Sequence, residues 1–277
     1  MSKALSRIYT ALVLVFLYAP IAIMVFFSFN EGKSLSVFSG FSFRWYGELF
    51  ARAEVMEALK NTLVLALLSS VIATLIGTAA AVGISKMKNR YLKASLMSVS
   101  NVPMMNPDIV TGISLALLFT FIMMALGMSS VFGFTTVLIA HVTFNIPYVL
   151  LSVLPKLRQM DKSLPEAALD LGCTPLKSFF KVEMPAIMPG ILSGFLMAFT
   201  LSLDDFVISY FNAEDFQTLP IVIYGMTKRT VTPDMYALST LIFGTVLLLL
   251  VLSNVMSARM ESRDARLARK KRKEAAK

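Results

Sequence analysis

The sequence predicts an all-α integral membrane chain with six transmembrane helices, and three observations lead there. Of its 277 residues, 56% are hydrophobic and only 16% charged, with a mean hydropathy of +0.71; soluble chains average about 25% charge. Apolar runs of about 20 residues, the length that crosses ~30 Å of hydrocarbon, recur along the chain. The basic residues collect on alternate connections between those runs, so the net charge of +9 reads as a topology signal and not as a nucleic-acid footprint.

The first run covers residues 8–29, behind Lys3 and Arg7. A signal-peptide core is about 7–15 residues, and no small-x-small cleavage site follows, so this is a retained span with a kink at Pro20. Residues 30–61 form a polar connection of balanced charge. Within it Arg44, Trp45 and Tyr46 suit an interfacial helix or a ligand-facing aromatic pair. Gly32-Lys33-Ser34 imitates the end of a phosphate loop, but Phe27 stands where the first glycine is required.

The second span, residues 62–84, is rich in small residues such as Gly77, Ala80 and Gly83, which let helices approach closely in lipid. The third, residues 96–126, is interrupted by Asn101, Pro103, Asn106, Pro107 and Asp108. The fourth covers 131–151 with Asn145 and Pro147 inside it, the fifth 187–211 and the sixth 235–256. A basic tail, 259–277, follows the six-span membrane domain of residues 1–258 and suits contact with anionic membrane lipid.

With six spans, both termini and the connections 85–95 and 152–186 share one side, which holds 20 Lys and Arg against 6 on the other. The positive-inside rule makes that side cytoplasmic. A single cysteine, Cys173, excludes an internal disulfide, and a single histidine, His141, excludes a His-rich metal or proton-relay scheme; no metal site is expected.

The longest polar interruption is residues 161–190. Ser163-Leu-Pro-Glu166 fits a capping box that opens a short helix. Gly172 suits its left-handed terminator, and Thr174-Pro175 restarts a second helix. Pro185 and Pro189 are expected to end that second helix before the fifth span.

Ionisable groups inside spans are costly and mark function by default. The predicted spans hold Asp108, Asp204 and Asp205 and no Lys or Arg. Pro189 to Asp204 is about 22 Å of helix, two-thirds of the way across the hydrocarbon, and Asp108 falls within about a turn of that depth. Uncompensated acids at one depth point to a cationic substrate. Trp45, Tyr46 and Tyr210 offer cation–π faces, and Ser202 joins them as a path residue. The alternatives are that the fifth span ends near Leu203, leaving the pair as loop caps, and that Asp108 is an N-cap after Pro107. Adjacent helical positions differ by about 100°, so one acid of the 204/205 pair is expected to line the path.

Glu166-Ala167-Ala168, then Gly172, then Val182-Glu183-Met184-Pro185 resembles the EAA loop of binding-protein-dependent ABC import permeases, with matching spacing and conservative departures at Val182 and Met184. The resemblance extends over the whole chain and implies a MetI-like ABC importer permease fold. It also implies that residues 161–186 form a coupling element on which a cytoplasmic ATPase docks. The implied partners are a second homologous permease subunit, two cytoplasmic ATPase subunits and a periplasmic binding protein, in a bacterial inner membrane. ATP and magnesium would reside in the ATPase, with no cofactor and no catalysis in this chain. The look is similar to the spermidine/putrescine permeases, which implies a polyamine; ferric ion and thiamine are the alternative solutes. An intramembrane aspartyl protease needs Gly-x-Gly-Asp, which LSLDDF lacks. An ion-coupled secondary transporter is the remaining alternative.

Overall fold

The computed structural model describes residues 3–34, 37–127, 132–161, 163–228, 232–248, 250–251 and 255. The described chain is built of helices, with one isolated bridge between Asn30 and Phe41. In order these are α1 (Lys3–Phe27), α2 (Arg44–Ala51), α3 (Ala53–Lys86), α4 (Arg90–Met105), α5 (Asp108–Leu126), α6 (Phe134–Gln159) and α7 (Ser163–Asp170). There follow α8 (Pro175–Ser178), a π-helical turn (Phe179–Glu183), α9 (Met184–Asp204), α10 (Val207–Asn212) and α11 (Leu219–Thr227). An apolar helix α12 (Pro233–Leu248) completes the set. Five stretches are long and apolar enough to span: Leu5–Phe27, Ala53–Lys86, Asp108–Leu126, Phe134–Gln159 and Pro175–Asp204, with α12 as a shorter sixth. The tail 259–277 and the end of the sixth predicted span lie outside the described residues.

Several boundaries differ from expectation. The second span begins nine residues early, because Glu54, Met56, Ala58, Leu59 and Lys60 are good helix formers and Glu54 favours a helix start; α3 is 34 residues, about 51 Å. The third predicted span is two helices. Asn106 is extended (φ −83°, ψ 137°), the conformation a following proline imposes, so α4 stops and α5 restarts at Asp108. The fifth ends at Asp204, and the extended Asp205 (φ −64°, ψ 120°) separates α9 from α10.

Pro185 does not end a helix. A proline lacks the N–H that would bond four residues back. The π turn takes up that mismatch, with Met184 N–H bonding to Phe179 C=O, and Pro185 falls in the first turn of α9. The stretch Pro175–Asp204 is therefore one unbroken helical run of 30 residues.

The chain forms two compact units. The first comprises residues 1–59 and 221–248. In it the buried Asn30 side chain organises the connection after α1: Nδ2 donates to the carbonyls of Ser34 and Val37 (both 2.9 Å), and Oδ1 accepts from Ser39 N–H (2.8 Å). Phe29 stacks on Phe41 and meets Phe43 and Tyr46. Arg52 pairs with the buried Asp234 at 2.7 Å.

The second unit, residues 60–220 among those described, is centred on α6. Val149, Leu150, Val153 and Leu154 pack with Ala73, Ala81, Ile187 and Ala198 from α3 and α9. Lipid removes the hydrophobic drive between helices, so close van der Waals packing holds them. A Cβ on Gly190 would lie 2.8 Å from Ser152 C=O, and one on Gly194 would lie 3.1 Å from Val149 Cα. The Gly190-Ile-Leu-Ser-Gly194 stretch is thus the seat of α6 on α9, and Gly77 of α3 meets Val149 on its other side.

Candidate functional site

Two helix breaks bring acids together in the second unit. Asp108 opens α5 directly after the Asn106–Pro107 break and is exposed. The N-terminal dipole of α5 favours an anion there. Asp204 is the last residue of α9, also exposed, and within Coulomb range of both Asp108 and Asp205. Tyr148 of α6 lies within the same range of Asp108. Asp108 and Asp204 form no ion pair among the described residues.

Asp205 is different. Its side chain is 7% exposed and its oxygens are occupied. Oδ1 accepts from Ile208 N–H at 3.2 Å, while Oδ2 accepts from Ser209 N–H at 2.8 Å and from the Ser209 hydroxyl at 2.9 Å. It satisfies free donors at the start of α10, so the capping alternative describes this residue. His141 of α6 reaches the same cluster, with Nε2 2.9 Å from Ser209 Oγ and 3.3 Å from Asp205 Oδ2. Counting only Lys and Arg as partners for the acids overlooks it. The available signal was the His141–Asn145 pair, polar residues one turn apart in an apolar run.

Ser202 is buried between helices. Its hydroxyl accepts from Asn145 Nδ2 at 2.7 Å and lies 3.0 Å from Ser69 Oγ, joining α3, α6 and α9. α10 is held from outside α9: Asn212 Nδ2 donates to Gly112 C=O (3.2 Å), and the Thr136 hydroxyl donates to Asn212 C=O (2.8 Å). Tyr210 on α10 is 48% exposed, with its ring against Phe206 and Phe211.

Trp45 and Tyr46 belong to the first unit. The Trp45 indole is 5% exposed, its N–H donates to Asn30 C=O at 2.6 Å, and Arg44 covers its ring at 5.1 Å. Its donor and one face are therefore committed. Tyr46 Oη lies 2.8 Å from Ser28 Oγ.

The 161–186 stretch forms a folded knob. The helix α7 already includes Ser163, and the Asp161 carboxylate accepts its N–H at 3.0 Å, a bond that holds the Asp161 carboxyl below its ordinary pKa. The cap thus sits two residues before the expected Ser163–Glu166 box. Gly172 has φ +81°, and Gly172 N–H and Cys173 N–H return to Leu169 and Ala168 C=O, a helix stop that requires the left-handed conformation. Thr174 Oγ1 accepts from Lys177 N–H as the N-cap of α8. Ser178 Oγ donates to Pro165 C=O at 3.3 Å, tying α8 to α7. Glu166, Ala167, Gly172 and Pro185 are exposed, and Ala168 is half-buried. Leu171 (86%) and Leu176 (71%) are exposed beside them, an apolar surface of the kind that marks a protein contact. At the inner edge the buried Glu183 pairs with Lys86 of α3 at 2.9 Å, and Lys86 also stands over the Phe179 ring. The described residues hold no group of three His, Cys, Asp or Glu placed to bind a metal.

Known proteins resemble this chain in sequence and in fold. The putrescine transport system permease protein PotI of Escherichia coli K12 is 39% identical over 259 residues, 92% of each chain. The spermidine/putrescine transport system permease proteins PotC of Haemophilus influenzae (35%, covering 87% of this chain and 92% of that one) and of E. coli K12 (36%, 90% of each) are also similar. Among solved structures, a chain of a bacterial ABC transporter that imports the acidic polysaccharide alginate superposes with TM-score 0.71 at 16% identity, covering 92% of this chain and 94% of that one. A chain of the MetNI methionine ABC transporter superposes at 0.58 and 18% identity, covering 79% and 98%. These two show the fold, a MetI-like ABC permease fold. Residues 73–266 match the model of the binding-protein-dependent transport system inner membrane component family, and the chain belongs to that family.

Proposed function

We propose that this chain is the permease subunit of an ATP-driven importer for polyamines, passing them along a route past Asp108 and Asp204. The observation that carries the reading is the pair of exposed acids at two helix breaks, without a basic partner among the described residues. Helix breaks in lipid are tolerated where the backbone lines a cavity or is buried in protein, and carboxylates there suit a diamine or triamine. The polyamine permeases similar to this chain support that substrate class.

On this reading residues 1–258 act as one permease domain that pairs with a second, homologous permease subunit. The 161–186 knob docks on one of two cytoplasmic ATPases through Glu166, Ala167, Ala168, Gly172 and the exposed leucines. ATP and magnesium bind in the ATPases, and a periplasmic binding protein delivers the solute. Both termini and the knob face the cytoplasm of a bacterial inner membrane, as the 20-to-6 distribution of Lys and Arg supports. Tyr210 contributes an aromatic face, while Ser202 joins α3, α6 and α9 below the acids.

The test is uptake of labelled putrescine and spermidine into proteoliposomes containing the assembled transporter and binding protein. Uptake should require ATP on the knob side and should not be displaced by ferric ion or thiamine. Uptake that persists on an ion gradient without ATP would overturn the importer reading. Saturable thiamine or iron uptake in place of polyamine would overturn the substrate.

A further inference from the structure

We propose that His141 is a positioning residue: with Ser209 it commits Asp205 to capping α10 and thereby leaves Asp204 as the acid of the pair that meets the cation. This rests on the polyamine route described above and divides the labour between two adjacent carboxylates.

The geometry is specific. His141 is fully buried in α6 and its Nε2 faces both Ser209 Oγ and Asp205 Oδ2. The Ser209 hydroxyl spends its proton on Asp205, so it meets His141 with a lone pair, and the Nε2 atom must be the donor. Asp205 receives the N–H groups of Ile208 and Ser209 and the Ser209 hydroxyl, and the imidazole N–H that meets Ser209 Oγ also lies 3.3 Å from its Oδ2. Oδ2 is crowded by these donors, and with 7% of the side chain exposed the carboxylate offers an ammonium group little access. Asp204 is one residue earlier, rotated about 100° if helical, exposed, and within Coulomb range of Asp108. The charged and titratable groups around this cluster are Asp204 on α9, Asp108 on α5 and Tyr148 on α6.

The network also sets where the break lies. α10 is bonded to α5 through Asn212 and to α6 through Thr136 and His141. Asp205 is where that outer group meets the end of α9. Without the imidazole, Asp205 and Ser209 lose the contact that holds them against α6, and the carboxylate is free to turn toward the route and compete for the cargo.

The experiment is putrescine uptake by the assembled transporter in proteoliposomes, with KM and maximal rate measured separately, alongside thermal unfolding of the detergent-solubilised complex. Asp204→Asn should raise KM about tenfold or more, the worth of one charge-assisted contact. Asp205→Asn should keep KM within about twofold while lowering the maximal rate and the unfolding midpoint. His141→Leu should raise KM, and His141→Gln, which retains an N–H donor, should restore it. Ser209→Ala should follow His141→Leu in direction and serves if the leucine variant does not assemble. The double variant His141→Leu/Asp205→Asn should behave as Asp205→Asn alone, because the histidine acts only through that carboxylate. Additive effects in the double variant, failure of His141→Gln to rescue, or a KM rise in Asp205→Asn equal to that of Asp204→Asn would overturn the proposal. If Asp204→Asn and Asp108→Asn leave KM unchanged, the cation route itself fails. The non-additivity of His141 and Asp205 in thermal unfolding still reports on the pairing in that case.

Discussion

The buried Glu183 carboxylate is neutralised by a cation from a different helix. It is 5% exposed, and Lys86 meets its Oε1 at 2.9 Å. Replacing Lys86 by Met leaves a buried carboxylate without its cation, which costs about 1–3 kcal/mol. The double replacement Lys86→Met/Glu183→Leu removes both charges and should recover most of that loss, because a desolvated pair often contributes little net stability. Thermal midpoints of the purified chain in detergent measure both; equal loss in the single and double variants would refute the pairing. Neither partner was legible in the sequence. Glu183 reads as an ordinary polar residue of a cytoplasmic loop, and Lys86, 97 residues away, reads only as part of a basic connection. His141 escaped for a related reason: its spacing to Asn145 marks a polar stripe on α6 but not its partner, Asp205, which follows the end of another helix. Asp108, Asp204 and Asp205 were legible because acids are rare in lipid. Which of the last two is saturated depends on where α9 stops, and no Pro or Gly in LSLDDF marks that stop.

Helix contacts divide the glycines into two kinds. Gly190 packs so closely on α6 that an added methyl would meet Ser152 C=O at 2.8 Å and Val153 Cα at 3.2 Å. Backbone cannot yield cheaply, so Gly190→Ala should destabilise the α6–α9 seat by about 1–3 kcal/mol and lower the amount of assembled chain in membranes. Gly83 of α3 has nothing within 4 Å of the same position, and Gly83→Ala should be neutral or stabilising by up to about 1 kcal/mol through better helix propensity. Thermal unfolding of the two variants side by side checks the contrast. Glycines four apart, as at 190 and 194, put two small positions on one helix face, where a neighbouring backbone can come close. The π turn did not announce itself. A Val-Glu-Met-Pro string reads as a helix stop, and only the widened turn through Phe179–Glu183 lets the proline enter a continuing helix. The break before Pro107 was visible because proline constrains the residue ahead of it.

Within the second unit, these details join the 161–186 knob to Asp204 by one continuous helical run. From Pro175 the helical run reaches Asp204 without interruption, and α7 is tied to its start by Ser178 on Pro165 C=O. A helix transmits displacement along its axis as long as its hydrogen bonds hold, so a displacement of the knob should reach Asp204, the last residue before α10, which is bonded to α5 and α6. Two kinds of variant separate docking from transmission. Glu166→Ala alters an exposed side chain of α7 and should weaken retention of the ATPase on the chain, read by co-purification. Met188→Gly softens α9 just past the π turn by about 1 kcal/mol, at an exposed side chain outside the 161–186 knob. Its co-purification should match that of the native chain, while putrescine moved per ATP hydrolysed falls severalfold. If that ratio is unchanged, stiffness of α9 is not what carries the stroke, and the Lys86–Glu183 link into α3 becomes the route to test.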